Sequence, residues 1–361
     1  MSLRSAVLDA GYRAVVRPAL FRSQGGDPEL IHESLIALLG GLNPAARAML
    51  RLLSGRPTSP VTVAGVRFPG RVGVAAGLDK DARAAEAWSA LGFGFAELGT
   101  VTALAQPGND KPRLYRLRDS RAIINRMGFN NPGAKAMADR LYGLGVQRGE
   151  LTCGIPLGIS LGKSKVTPVA DAVPDYVASL RMLAPYADYI AINVSSPNTP
   201  GLRSLQEGDL LRDLLSSLTR EASQITHPLG PVPIFVKIAP DMSDAQLDHL
   251  LGVVADNGGR GIIATNTTLG RDGLAATDRV HADQAGGLSG APLTARALEV
   301  VSRITASTTL PVIGVGGIMT TDDAERMIDA GARLIQLYTG FIYSGTGLVA
   351  GINALSLGRT T

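Results

Sequence analysis

The stretch Asp188-Tyr-Ile-Ala-Ile-Asn-Val-Ser-Ser-Pro-Asn-Thr-Pro-Gly-Leu202 is apolar from its second residue and ends in amides, hydroxyls and turn formers. A run without in–out alternation is what a parallel strand buried on both faces requires. Polar groups at the end of such a strand cost free energy unless something there uses them. Ser196, inside that polar end, is open to three readings: nucleophile, base or turn residue.

Runs of the same kind recur along the chain at 72–76, 93–98, 156–161, 234–238, 261–264, 311–315 and 333–338. Helical patterns lie between them. Asp81–Leu91 places Ala84, Ala87 and Trp88 on one face, Ser243–Leu251 opens on a serine N-cap, and Thr321–Ile328 has acidic residues in its first turn. Eight strands alternating with helices predict an α/β fold, the (β/α)8 TIM barrel. A doubly wound open sheet is the weaker alternative, because no Gly-x-Gly-x-x-Gly follows the first run. Pro112–Leu117 and Ala122–Asn125, joined by a polar turn, read as a β-hairpin inserted after the second strand. Gly55-Arg-Pro-Thr-Ser-Pro60 is a boundary by composition. It divides an N-terminal helical extension, residues 1–60, from a barrel at 61–361.

Hydrophobic content of 45% against 18% charged residues over 361 positions belongs to a folded globular chain. A single cysteine, Cys153, excludes an internal disulfide framework and any cysteine-cluster metal site. His32, His227, His249 and His281 are scattered outside metal-ligand spacing, so no metal is expected. A net charge of +4 with 4% aromatics argues against nucleic-acid binding. No apolar stretch approaches the roughly 20 residues of a membrane-spanning helix, and the start lacks a signal-peptide pattern. Arg4, Arg13, Arg17 and Arg22 are interleaved with Leu3, Val7, Leu8, Val15, Val16, Leu20 and Phe21. Such a basic amphipathic segment fits either a membrane surface or a helix docked on its own domain.

In a barrel of this kind the active site lies at the C-terminal ends of the strands. Those ends carry Asp79-Lys80, Gly99-Thr100, Ser160, Asn193 with Ser195-Ser196, Lys237, Thr265-Asn266-Thr267, Gly316-Gly317 and Tyr338-Thr339. Each alone serves equally as a cap or turn residue; together they converge on one mouth. Lysine is rarely buried unless it holds an anion or is a tuned amine, which singles out Lys80 and Lys237. Gly314-Val-Gly-Gly317 and Thr339–Gly345 fit the phosphate site after strands seven and eight, where backbone N–H groups cradle the anion. Asn125, Asn193, Asn198 and Asn266 supply the amides a planar heterocycle needs. A Ser-His-Asp hydrolase fails, because no Gly-x-Ser-x-Gly surrounds Ser196 and no histidine stands at a strand end. Fixed donors and cations suit a phosphate-bearing redox cofactor beside an anionic substrate.

Several stretches together resemble the dihydroorotate dehydrogenase family. They are Ala75-Ala-Gly-Leu-Asp-Lys80, Asn125-Arg-Met-Gly-Phe129, Ile192–Leu202, Thr265-Asn-Thr-Thr268, Gly286-Gly-Leu-Ser-Gly290, Val312–Gly317 and Leu337-Tyr-Thr-Gly340. Serine in Asn-x-Ser-Ser-Pro-Asn, where soluble forms have cysteine, resembles the membrane-associated, quinone-using class. So do Arg17-Pro-Ala-Leu-Phe21 and Asp27–His32. The resemblance implies oxidation of (S)-dihydroorotate to orotate in de novo pyrimidine (UMP) biosynthesis, with one FMN per chain and a membrane quinone as electron acceptor. It assigns Ser196 as the general base at C5 while C6 delivers a hydride to FMN. A hydroxyl is a poor base at neutral pH, and the family implies a water relay near Thr199 and Phe129. Ser195 reads as a turn residue.

By the same resemblance FMN contacts Ala76, Gly77, Thr100, Ser160, Asn193, Lys237, Thr265, Gly290, Gly317, Tyr338 and Thr339. Lys237 stabilises the anionic reduced flavin. Ser160 replaces the asparagine of many relatives, which implies contact through a water. Lys80 meets the substrate carboxylate, Asn125, Asn193, Asn198, Asn266 and Thr267 hold the pyrimidine edge, and Arg126, Met127, Gly128 and Phe129 form a face of the pocket. His32, Arg113 and Tyr338 line the quinone end of a tunnel under the N-terminal helices. Peripheral association with the cytoplasmic side of the cell (inner) membrane follows, with no obligatory protein partner. The alternatives are another FMN-dependent TIM-barrel oxidoreductase, a soluble-class dihydroorotate dehydrogenase, or a non-catalytic phosphate-ligand binder.

Overall fold

The computed structural model describes residues 3–199, 201–206 and 208–355. Eight parallel strands close into a barrel in sequence order. They are β1 (Val72–Val74), β2 (Phe95–Val101), β3 (Leu157–Leu161), β4 (Tyr189–Asn193), β5 (Ile234–Ile238), β6 (Gly261–Ala264), β7 (Val312–Val315) and β8 (Leu334–Leu337). The barrel expectation is met, with β1 stopping two residues early and β2 starting two residues late.

Side chains alternate across a strand, and the barrel interior uses that alternation to fit large residues against none. The Tyr189 ring occupies the space a Cβ on Gly158 would need, and Phe235 does the same at Gly261. Phe95, Tyr189, Phe235, Ile263, Ile313 and Leu334 form one interior cluster. A short hairpin, Val61–Val63 with Val66–Phe68, closes its base, and the fully buried Phe68 ring packs 5.2 Å from Phe95. Among the described residues, a plugged base leaves the opposite, C-terminal end as the accessible mouth.

Two expectations need correction. Asp81–Leu91 does not form an α-helix; only Ser89–Leu91 makes a 3-10 turn. The buried Asp79 carboxylate accepts hydrogen bonds from Arg83 N, Ala84 N and the Trp88 indole, and Ala82 sits at a φ of 63°. The backbone donors a helix would use are thus turned onto one carboxylate. The inserted hairpin is present at Leu114–Leu117 and Ala122–Asn125, but a third strand, Gly287–Gly290, pairs with it, a partner not expected. The helices expected around 243 and 321 form with capping boxes at Ser243 and Thr320.

Four helices precede the barrel: α1 (Leu3–Gly11), α2 (Arg17–Arg22), α3 (Pro28–Gly40) and α4 (Pro44–Ser54). Proline at the start of α3 and α4 follows an N-cap carboxylate, Asp27, and an N-cap amide, Asn43, each accepting first-turn N–H groups. The final helix, Thr339–Asn353, kinks at Gly345 with φ +60°, where a Cβ would lie 2.5 Å from the Tyr12 ring. That close approach seats the extension on the barrel. Phe21 extends the contact, its ring 5.7 Å from Tyr343 and under the Arg116 guanidinium at 3.9 Å.

Candidate active site

From the plugged base upward, the inward positions change from apolar to polar. Above the Phe95, Tyr189, Phe235 and Leu334 floor come Glu97, Lys237 and Gln336, and above those Asn193, Thr265, Gly317 and Tyr338. The mouth holds a cavity that opens to solvent, with about 1010 Å³ of space when its open part is counted. Ala76, Gly77, Lys80, Thr100, Asn125, Met127, Gly128, Phe129, Asn193, Ser196, Asn198, Lys237, Thr265, Asn266, Thr267, Gly290, Gly317, Tyr338 and Thr339 all line it. Residues named from seven of the eight strand ends therefore share one space; the exception is the end of β3.

A hydrogen-bonded chain fixes the cavity's central amides. Asn193 donates to Thr100 Oγ1 at 2.9 Å and accepts from Asn266 Nδ2 at 3.3 Å and Ser195 Oγ at 3.2 Å. Asn266 Nδ2 also reaches Ser195 Oγ at 2.9 Å. Ser195 is fully buried and faces away from the cavity, a scaffold rather than a base. Ser196 does face it; its Oγ accepts from Asn198 N at 3.2 Å. Asn198 in turn donates to Asn125 O at 3.2 Å, joining the loop after β4 to the inserted hairpin. Arg203, not foreseen, bridges Ser195 O at 3.2 Å and the Asp241 carboxylate at 3.0 Å. Asp241 also accepts from Leu269 N at 3.1 Å, so this pair ties the Ser196 loop to the loop after β6.

Two residues expected on the cavity, Ser160 and Arg126, lie elsewhere, and Arg113 and His32, expected at the quinone end, also stand outside the cavity. Ser160 is fully buried behind Thr100, its Oγ 2.9 Å from Thr100 Oγ1, so it supports a cavity residue without reaching the wall. The Arg126 side chain turns outward to Pro112 O at 2.6 Å and the Tyr115 hydroxyl at 2.7 Å. Arg113 is buried in a two-pronged pair with Glu29 of α3, Nη2 to Oε1 at 2.8 Å, and donates to the carbonyls of Pro107 and Asn109 at 2.7 Å each. His32 is partly buried on α3; burial, then the Lys80 charge, pushes it down to about 4, so it is neutral at physiological pH. Tyr338 stands between these regions. It lines the cavity and packs against the Phe21–Tyr343 cluster, and burial raises its phenol to about 12.

Burial also lowers Lys80 to about 8, against the pull of Glu33 and Glu29. The glycine-rich side of the cavity carries no such charge. Gly316, Gly317, Gly290 and Gly340 line it with Ser289, whose hydroxyl lies 2.8 Å from Thr339 Oγ1. Gly317 has φ +68°, and a Cβ there would lie 2.2 Å from Thr294. Only glycine fits, which leaves bare backbone facing the cavity as an anion cradle needs. Ala75–Gly77 and Val315–Gly317 line the cavity together; with a cation on its floor and a glycine cradle, it fits a phosphate-bearing ligand. No group of acidic, histidine or cysteine side chains among the described residues is arranged for a metal.

Residues 59–355 match the family model described as dihydroorotate dehydrogenase. The chain is 52% identical over 351 residues, 95% of each chain, to a dihydroorotate dehydrogenase (quinone) of Chloroflexus aurantiacus. It is 55% identical over 342 residues to one of Salinispora arenicola, covering 94% of this chain and 96% of that one. Among solved structures, the DHODH of Eimeria tenella in complex with ferulenol superposes with a TM-score of 0.81 at 34% identity, covering 94% and 93% of the two chains.

Proposed function

The chain belongs to the dihydroorotate dehydrogenase family, and on that premise we propose that FMN and dihydroorotate share the barrel-mouth cavity, with Ser196 as the base. It is a quinone-dependent dihydroorotate dehydrogenase, an enzyme of pyrimidine biosynthesis that oxidises dihydroorotate to orotate. One observation carries the assignment of the site: a single cavity holds the Ser196 hydroxyl, two lysines, four asparagines and a glycine cradle. FMN bound there supplies a hydride acceptor for C6 of the substrate.

The protein's own groups do the rest. Lys80 holds the substrate carboxylate, and Asn125, Asn198, Asn266 and Thr267 fix the ring by its amide edge. Ser196 takes the C5 proton. Its Oγ already accepts a hydrogen bond from Asn198 N, which leaves its own proton free to move onward. Thr199 Oγ1 nearby is buried without a hydrogen-bond partner among the described residues. A buried hydroxyl in that state is where an ordered water belongs, and a water between Thr199 and Ser196 gives the proton an exit. Anaerobic addition of dihydroorotate to the purified protein tests the whole reading. Flavin absorbance that bleaches supports it; a colourless protein, or a flavin that does not respond, contradicts it.

The two lysines divide the charge. Lys80→Ala should raise the KM for dihydroorotate by about 10–100-fold, the worth of a lost charge-assisted hydrogen bond of roughly 1.5–3 kcal/mol. A lysine lowered to about 8 keeps its charge below that pH and loses it above. The KM should therefore climb as pH passes 8, and Lys80→Arg should flatten the climb. Lys237→Ala should instead weaken FMN retention or slow its reduction. Identical defects in the two alanine variants would contradict this division.

We also propose that residues 1–60 form the membrane-contact segment, with His32 and Tyr338 on the quinone's approach. No described helix is long and apolar enough to cross a membrane. However, α4 is amphipathic in the reverse sense for a soluble helix. Arg47 and Arg51 turn inward to Glu86 at 2.6 Å and Ser89 at 3.4 Å, while Ala45, Ala48, Met49, Leu52 and Leu53 face outward. Leu52 is 74% exposed, and Leu38 of α3 is 64% exposed. A reversed apolar face with exposed Arg4, Arg13 and Arg22 on the same segment fits the headgroup region of an anionic bilayer. Such a segment would place the enzyme peripherally on the cytoplasmic side of the cell membrane. Met49→Ser with Leu52→Ser should reduce liposome affinity by about tenfold or more per side chain, leaving flavin reduction by dihydroorotate unchanged. Undiminished flotation with anionic vesicles would remove α4 from the contact.

A further inference from the structure

Glu97 is an acid in the middle of β2, with no exposed surface at all. Desolvating an unpaired carboxylate costs several kcal/mol, so its neighbours explain its presence. Oε2 accepts from the Tyr189 hydroxyl at 3.1 Å and from Gln336 Nε2 at 2.7 Å; Oε1 lies 3.4 Å from Lys237 Nζ. Beneath this layer is the aromatic floor, and above it Lys237 and Gln336 face the cavity. Among the described residues, Glu97 is the only acid paired with Lys237.

We infer that Glu97 is a positioning residue that sets the positive potential Lys237 presents to the ligand above it. This rests on the reading of Lys237 as a contact of bound FMN. The carboxylate holds the ammonium from below in a medium where charges act strongly on each other, and so subtracts from the field the cavity receives. Tyr189 and Gln336 temper that subtraction, because each hydrogen bond they donate disperses charge that would otherwise face Lys237. The set forms a two-layer device. The upper cation favours electron-rich forms of the cofactor, and the lower anion limits by how much.

The opposing signs make the inference testable by reductive titration of the bound flavin. Glu97→Gln keeps shape and an acceptor for Tyr189 but removes the charge. Its flavin midpoint potential should rise by about 30 mV or more, equivalent to a tenfold change in the two-electron equilibrium. Tyr189→Phe strips one donor from the carboxylate and should lower the potential. Lys237→Ala should lower it further. An unchanged or lowered potential in a folded, flavin-bearing Glu97→Gln protein would overturn the role of Glu97. An unchanged potential in Lys237→Ala would instead overturn the reading of Lys237 itself. Should Glu97→Gln not yield folded flavoprotein, Tyr189→Phe carries the test alone, and a potential that does not fall counts against the inference.

Discussion

Ser196→Ala should leave FMN bound and orotate affinity nearly intact while slowing flavin reduction by dihydroorotate about 10²–10⁴-fold, the usual worth of a positioned base. The expectation rests on what the serine does and does not hold together. Ser196 Oγ accepts one hydrogen bond, from Asn198 N, whereas the loop's anchors are elsewhere: Asn198 to Asn125, and Arg203 to Ser195 O and Asp241. Losing the hydroxyl therefore leaves the cavity wall standing. The defect should fall on the rate of bleaching in a stopped-flow experiment and not on orotate binding. Ser196→Cys should recover part of the rate with a profile that follows the thiol's ionisation, because a thiol, unlike a hydroxyl, is appreciably ionised near neutral pH. If Ser196→Ala reduces its flavin at a near-normal rate, the serine has no part in proton removal.

Why the serine was legible and its supports were not has a physical explanation. Strand ends of a barrel converge by geometry, so polar residues closing eight apolar runs identify the cavity once the runs are found. Ser160 and Ser195 show the limit of that rule. Both are fully buried and spend their hydroxyls on other residues of the mouth: Ser160 on Thr100 of the neighbouring strand, Ser195 on Asn193 of its own strand and on Asn266 after β6. Arg126 adjoins cavity residues but spends its guanidinium on the hairpin's own carbonyl and phenol. Adjacency along the chain carried the resemblance further than the side chain goes. The helix expected after β1 and not formed has a local cause, since nothing in the sequence pattern announces that Asp79 will collect three donors at once. Glu97 did leave a signal. An acid inside the run 93–98 violates the apolar pattern, and a second violation, Lys237 in the run 234–238, supplies the partner. Two opposite charges in two buried strands are a contact that sequence reasoning is able to propose.

The extension follows the same logic at its own anchor. Glu29 and Arg113 are 8% and 7% exposed, and their pairing joins α3 to the inserted hairpin. Breaking a buried pair by removing one partner costs about 3–5 kcal/mol, because the other charge stays behind uncompensated. Glu29→Ala should thus free α3 from the hairpin while the barrel, closed by its own strands, remains folded. Hydrogen exchange should report faster opening across 28–40 and little change in β1–β8. Acid should mimic the substitution. Burial pushes the Glu29 carboxyl up, but Arg113 and then Lys111 outweigh it and hold it below its ordinary 4.5. A folded value below the unfolded one means stabilisation that is complete above about 4.5 and is lost as pH falls through the folded value. The consequence for turnover separates the half-reactions. Every residue placed on FMN or dihydroorotate comes from the barrel or its inserts, so flavin reduction should keep its rate. Reoxidation by a long-chain quinone should slow if, as proposed, that acceptor approaches the flavin past the N-terminal helices beside Tyr338. A water-soluble acceptor, which needs no such approach, should reoxidise the variant as fast as the parent. If hydrogen exchange shows α3 released and the long-chain quinone still reacts at the parent rate, the N-terminal helices do not guide the quinone.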